Sequence, residues 1–250
     1  MKYSETDIIT NEQVLDAPYS YQNDFSDTLN VFTFIKKVNF YKIFWIFVIG
    51  SIFGCYMEQI QYYVIKGIWE SRAGVIWGPF SEIYGIGAIL MFLLYQKMKN
   101  ISPLTIFLSA SFLGSAFEYV ASLFQEVCFG SVTWDYSRQP FNIGGRTSLK
   151  YSVYWGLLGL LFIKWIFPFL NKSLENIKGK RSFVFTWFLI IFMSINLTTS
   201  AMAVNRWNER LTNIPASGHI DEYFDQHYDN QKMEYIFPHM KFLVNTDKTS

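Results

Sequence analysis

Five apolar stretches, each close to the roughly 20 helical residues that cross ~30 Å of hydrocarbon, dominate this chain and leave it few ways to fold. They cover residues 40–65, 75–95, 104–127, 151–170 and 183–204. Peptide groups find no water inside a bilayer, so segments of this length are expected to cross it as helices that satisfy their own backbone. The expected fold is therefore all-α: a polytopic transmembrane helix bundle of about five spans over 39–204. A polar N-terminal tail over 1–38 and a polar C-terminal tail over 205–250 flank it. Composition agrees, since 51% of the 250 residues are hydrophobic and only 16% are charged, against about 25% charged in soluble chains.

Several function classes are excluded at this stage. A net charge of +1 with no concentrated Lys/Arg face argues against a nucleic-acid partner. Two cysteines, Cys55 and Cys128, rule out a disulfide scaffold and a cysteine-rich metal site. The N-terminal run is polar and acidic, not a basic stretch leading into a short apolar core, so a cleavable signal peptide is not expected. The lipid bilayer is the first partner, and the first span serves as its own anchor.

Five spans would place the two tails on opposite sides. Nine Lys and Arg flank the spans on the N-terminal side (Lys36, Lys37, Lys42, Lys97, Lys99, Lys172, Lys178, Lys180, Arg181) and seven on the other. That bias predicts a cell-membrane protein with a cytoplasmic N-terminus and an outside C-terminus.

An internal repeat locates a candidate site. Shifting the chain by 60 residues sets SIFGCYMEQ, residues 51–59, on SFLGSAFEY, residues 111–119, so that Ser51 meets Ser111, Gly54 meets Gly114 and Glu58 meets Glu118. Farther on, GPF at 78–80 meets QPF at 139–141, and the Gly85/Ala88 pair resembles Gly156/Gly159. The first and third spans run in the same direction, so this would be a parallel repeat of two helix hairpins about an axis along the membrane normal. Gly50, Gly54 and Glu58 step by four, as do Ala110, Gly114 and Glu118. Each helix thus carries small, small and acidic residues on one face, the kind that lets helices approach closely in lipid. An intramembrane carboxylate costs roughly 3 kcal/mol even on lenient insertion scales, so the two glutamates should face the bundle interior and find a partner. The candidate substrate- or ion-binding residues gather at that end of the spans: Glu58, Arg72, Glu82, Glu118, Trp134, Asp135, Tyr136, Asn142 and Arg146.

These residues also carry a resemblance. Glu58, the R-x5-GPF-x3-YG-x-G stretch from Arg72 to Gly87, Glu118, the WDYS, PFN and GR pieces from Trp134 to Arg146, and WGLLGLL from Trp155 resemble the CmpB-like ABC-transporter type IV family of bacterial membrane proteins. The likeness covers residues 40–170 closely and extends through NRWNER (205–210) and the aromatic tail. It implies a multi-pass, permease-like transporter subunit, with a separate ATPase subunit as a partner. One departure is Arg72-Ala73-Gly74, where a larger residue is expected after the arginine.

Each motif has a plainer alternative. Glu58 and Glu118 bind a cation or proton, or they are latches neutralised by Arg72, Arg138 or Arg146. GPFSEIYGIG is a broken helix lining a cavity, or a helix start with Pro79 in its first turn. The aromatic WDYS loop contacts a ligand or lipid headgroup, or it is part of an interfacial belt. No phosphate loop occurs, because GGRTS lacks the G-x4-GK[ST] frame, so any ATP hydrolysis belongs to another chain. No cofactor, metal site or enzyme activity is expected: His219, His227 and His239 fall in the tail, where a solvated acidic segment is the simpler reading. Residues 1–37 are expected to be flexible or weakly helical, and 220–228 to form a short amphipathic helix on the membrane surface or over the loops. The second functional reading is a non-transporting scaffold or lipid-headgroup-binding protein with structural Glu–Arg pairs.

Overall fold

The computed structural model of the chain describes residues 40–175 and 179–243. The expectation for the N-terminal tail lies outside them. By internal contacts the chain divides into Met1–Ile43 and Phe44–Ser250; of the first unit only residues 40–43, the start of the first helix, are described. The protein is an all-α membrane bundle with minimal strand. Its long helices are α1 (Phe40–Lys66), α2 (Glu82–Met98), α3 (Pro103–Phe129), α4 (Leu149–Leu161), which runs through a π-helical turn at Phe162–Ile166 into α5 (Phe167–Glu175), and α6 (Lys180–Leu211). Two short helices follow, α7 (His219–His227) and α8 (Asn230–Ile236).

Local chemistry sets several boundaries. Ser102 caps α3 by accepting the Thr105 N–H at 3.2 Å, with Pro103 at the first helical position where its missing N–H costs nothing. Gly130, at φ +59°, ends the same helix in the left-handed conformation that glycine adopts without strain. Pro168 has no N–H to donate and crowds the preceding turn, and the π turn lies immediately before it.

Among the described residues four helices, not five, are long and apolar enough to cross a membrane: Phe40–Lys66, Pro103–Phe129, Leu149–Leu174 and Lys180–Leu211. The expected second span shrinks because α2 has 17 residues, about 26 Å at 1.5 Å per residue. Residues 75–81 are irregular instead. Ser81 is the N-cap residue, so Pro79 precedes the helix rather than occupying its first turn. The expectation of opposed tails rested on five long spans and loses that footing.

The irregular stretch is anchored in protein at both ends, with Val75, Phe80 and Ser81 buried and Trp77 and Gly78 exposed between them. Val75 and Phe80 pack with Val48 of α1 and Met193 of α6. Asn196 of α6, fully buried, accepts from the Trp77 N–H at 3.1 Å and donates to the Trp77 carbonyl at 2.7 Å. Ser200 accepts the Ile76 N–H at 2.9 Å, and the Ser81 N–H donates to the Ser51 carbonyl at 3.2 Å. Non-helical backbone at membrane depth persists where side chains replace the absent ladder.

The two hairpins repeat the same helix contacts at matching positions. A Cβ added at Gly85 would come within 2.7 Å of Phe47 Cε2, and one at Gly156 within 2.7 Å of Phe107 Cδ2. Gly54 is filled by the Tyr84 side chain, and Gly114 by Trp155. Gly50 lies on Ala88, while Ala110 lies on Gly159, the small residue having changed sides. These pairs make α1/α2 and α3/α4 matching antiparallel pairs, related by an offset of 60 residues in the first helix and 71 in the second.

At the end of the bundle where α6 finishes, residues 203–243 form a cap. Trp207, Phe224, Tyr228, Met233 and Phe237 share a core with Ile76 of the first loop and Phe129 of α3. Asp225 joins Arg206 and Arg210, each at 2.8 Å. A two-residue strand, β1 (Ser131–Val132), pairs antiparallel with β4 (Lys241–Phe242). The cap goes further than the single surface helix expected from sequence.

The Asn196 amide is tested by Asn196→Leu. Orphaning two peptide groups at about 1–3 kcal/mol each is expected to lower stability by roughly 3 kcal/mol, read as a fall in the melting temperature of the detergent-solubilised protein. An unchanged melting temperature would remove Asn196 from this role.

Candidate functional site

Glu58 lies one turn beyond Gly54, where the Tyr84 ring brings α2 against α1. Arg72 Nη1 stands 3.5 Å from Glu58 Oε1, longer than the about 2.7–2.9 Å of a tight charge-assisted bond. The guanidinium is 4.0 Å from the centre of the Tyr62 ring, a cation–π contact that holds the arginine over α1. Tyr84, whose ring lies on Gly54, also interacts with Glu58.

Glu118 is only 7% exposed and is treated differently. The Tyr136 hydroxyl donates to one oxygen at 3.0 Å and the Thr147 hydroxyl to the other at 2.8 Å. Among the described residues no Lys, Arg or His forms an ion pair with it. Tyr136 is stacked on Tyr151 with centroids 4.0 Å apart, and burial together with the Glu118 charge pushes its phenol far above the usual tyrosine range. The hydroxyl thus remains a proton donor to Glu118.

The loop between α3 and α4 contains a second two-stranded element, β2 (Asn142–Ile143) against β3 (Thr147–Ser148), and it holds Tyr136 and Thr147 in place. Asn142 organises the turn, donating to the carbonyls of Ser137 at 3.1 Å and Gln139 at 2.9 Å and accepting from the Gly145 N–H at 3.0 Å. Trp134 donates to the Arg146 carbonyl at 2.9 Å. Arg146 pairs with Glu126 at 2.6 Å and donates to Ser122 at 3.2 Å. Asp135 is exposed and accepts from the Ser137 hydroxyl and, at 2.9 Å, the Ser137 N–H; these bonds hold its carboxyl below the usual aspartate range. Glu82 opens α2, and its Oε2 is shielded from solvent without a hydrogen-bond partner among the described residues. Any Cβ at Gly74 would overlap that carboxylate, which is why a small residue follows Arg72-Ala73.

Of the candidate residues, the geometry joins Glu58 with Arg72, and Glu118 with Tyr136. Trp134, Asn142 and Arg146 shape the loop, and Asp135 lies on its outer side. The sequence reading missed Tyr84, Thr147 and Asn196. Tyr84 was available from the repeat, since it occupies the place of Trp155. Among the described residues no group of three or more His, Cys, Asp or Glu is placed to hold a metal ion.

The histidine expectation requires a correction. His219 is fully exposed, but His239 Nε2 lies 2.7 Å from Glu70 Oε2 with a quarter of its side chain exposed, and its ring meets Tyr62 edge-on at 5.2 Å. The tail packs back on the first loop instead of staying in solvent. Burial, then Arg72, and less strongly Lys241, push the imidazole pKa down against the upward pull of Glu70. A depressed histidine pKa means that its contribution to stability is fully present above the unfolded value near 6.5 and is lost as pH falls through the folded value. The melting-temperature gap between the wild-type protein and His239→Ala should therefore be wider at pH 8 than at pH 5. A gap that widens on acidification would reverse the assignment.

No curated protein and no solved structure matches the chain. The family described as "Putative ABC-transporter type IV" matches residues 45–201, which contain both hairpins, both glutamates and most of α6. The chain belongs to this ABC-transporter type IV family of membrane proteins.

Proposed function

We propose that the chain is a permease-type subunit of the cell membrane in which Glu58 and Glu118 take up a proton or a small cation at the loop-lined end of the bundle. The observation that supports this reading is the contrast between two carboxylates in equivalent places. Glu58 has Arg72 beside it, whereas Glu118 has two neutral hydroxyl donors. A buried carboxylate bonded only to neutral donors is readily neutralised by a proton or a cation. Its hydroxyl donors can turn to accept from the protonated form. Glu58 can exchange its long contact with Arg72 for an incoming cation. On this reading the N-terminus is cytoplasmic, and α2 with residues 75–81 completes the return crossing beside α1.

The family name points to an ATPase partner, and that association is part of the proposal. The described linker between α2 and α3, residues 99–102, offers little docking surface, so co-purification of an ATPase with the detergent-solubilised protein is the direct check.

A second reading, favoured by the Arg72–Tyr62 contact, makes Glu58 a structural latch and the protein a scaffold or headgroup binder. The two separate cleanly in proteoliposomes loaded with a pH-sensitive dye. Glu118→Gln imitates the protonated carboxyl and is expected to keep the melting temperature while abolishing proton or cation flux. Glu58→Gln is expected to cost about 2 kcal/mol, less than the roughly 3–5 kcal/mol of a fully buried pair, because a third of the Glu58 side chain remains exposed. No flux above empty liposomes in the parent protein would discard the transport reading in favour of the scaffold, and flux unaffected by Glu118→Gln would remove Glu118 as the coupling carboxylate.

The crossing pattern has its own measurement. Cysteines substituted at Ser71 and Ser102, which flank residues 75–81 and α2, should react with impermeant reagents from opposite sides, Ser102 from the cytoplasm. Reaction of both from one side would remove α2 as a crossing helix.

A further inference from the structure

The cap touches the first hairpin through a chain of contacts that ends on the intramembrane carboxylate. His239 meets Glu70 at 2.7 Å and the edge of Tyr62 at 5.2 Å. The other side of the relay is the Arg72 guanidinium, 4.0 Å from the Tyr62 ring centre and 3.5 Å from Glu58. Glu58 and Tyr62 are four residues apart on α1, so they share a face, and His239 stands over that face at its loop end.

The two halves of the cap are held very differently. The first half is fixed by Asp225 bridging Arg206 and Arg210, by Arg210 donating to Asn230 and the Tyr228 carbonyl, and by the Trp207–Phe224–Met233 core. Beyond Phe237 the described chain is held by the two-residue β1–β4 pairing, one further bond from the Leu243 N–H to the Gly130 carbonyl at 2.8 Å, the packing of Met240 and Phe242 against the edge of the cap core, the edge-on contact of Phe242 with Trp207 at 4.8 Å, and His239 on Glu70. A segment with few backbone bonds attached to a well-packed base opens locally at far lower cost than the whole fold.

We infer that residues 238–243 are a lid at the Glu58–Arg72 pair, hinged at Phe237 and latched by His239 on Glu70, and that its opening widens the access of the aqueous phase to the pair. The inference rests on the reading of Glu58 as a functional carboxylate only for its purpose; the opening itself is a property of the cap. The lid bridges both repeats, because β1 belongs to the loop after α3 and Glu70 to the loop after α1. Opening therefore releases the two loops from each other together.

The test uses the full chain in liposomes with one reporter thiol, Gln59→Cys in a Cys55→Ala, Cys128→Ser background. Gln59 is 8% exposed and lies between Cys55 and Tyr62 along α1. Labelling by an impermeant maleimide is expected to accelerate about tenfold on adding either His239→Ala or Glu70→Ala, since loss of one buried polar contact shifts a local opening equilibrium by that order. Adding His227→Ala, whose ring bonds only the Tyr223 carbonyl on the exposed side of α7, should leave the rate alone. Equal labelling in the His239, Glu70 and parent proteins would overturn the lid, as would an equal acceleration by His227→Ala. Because labelling needs no flux, a lid that opens in a protein that carries no flux would overturn the transport reading and keep the lid.

Discussion

Helices in a bilayer gain nothing by hiding from water, so this bundle depends on how closely its backbones approach. The constraint is met at Gly54 and Gly114, where the glycine leaves room for an aromatic side chain of the facing helix, and at Gly85 and Gly156, where a serine and a phenylalanine fill the same space in each hairpin. Dispersion between atoms in contact is individually small and collectively sufficient here. The same close approach seats the Tyr84 ring on Gly54 and carries Glu58 and Glu118 inward. Site and packing are consequences of one pattern of small residues.

Two like charges at equivalent depth would be costly if both stayed uncompensated. The hairpins have diverged at the loops and not at the helices. The first loop brings Arg72 to its glutamate; the second, longer by a strand pair, brings Tyr136 and Thr147 and sends Arg146 to Glu126 instead. One carboxylate has a counter-charge, and the other has donors that suit either protonation state. A duplicated scaffold has acquired two chemically distinct ends.

The helices and the repeat were legible because they are written in periodicities that need no tertiary information: apolar runs of span length, and a small residue, a glycine and a glutamate at steps of four repeated at a fixed offset. The second span was misread since 75–81 is as apolar as a helix but owes its irregular course to Asn196 and Ser200, more than a hundred residues away. Asn196 itself reads in the sequence as a polar residue stranded in a span. Arg146 was legible as a loop cation but not its choice of Glu126 over Glu118, which the β2–β3 turn decides. The tail misled because His239 was grouped with the charged residues at 221–229, whereas its own neighbours Phe237, Met240 and Phe242 pack on the cap and turn it back on the first loop, and no local pattern encodes that return.

The order in which the chain is made gives the cap a further meaning. Its core draws on Ile76, Phe129 and Trp207 but is completed by residues 224–242, which leave the ribosome after every long helix. Until then the two loops have no common partner, and the aromatic faces of Trp207 and Phe129 have nothing to cover them. Biogenesis is therefore split into insertion of the helices and a later closing step at the membrane surface. The quality of the finished bundle is decided last, by a segment that never enters the hydrocarbon.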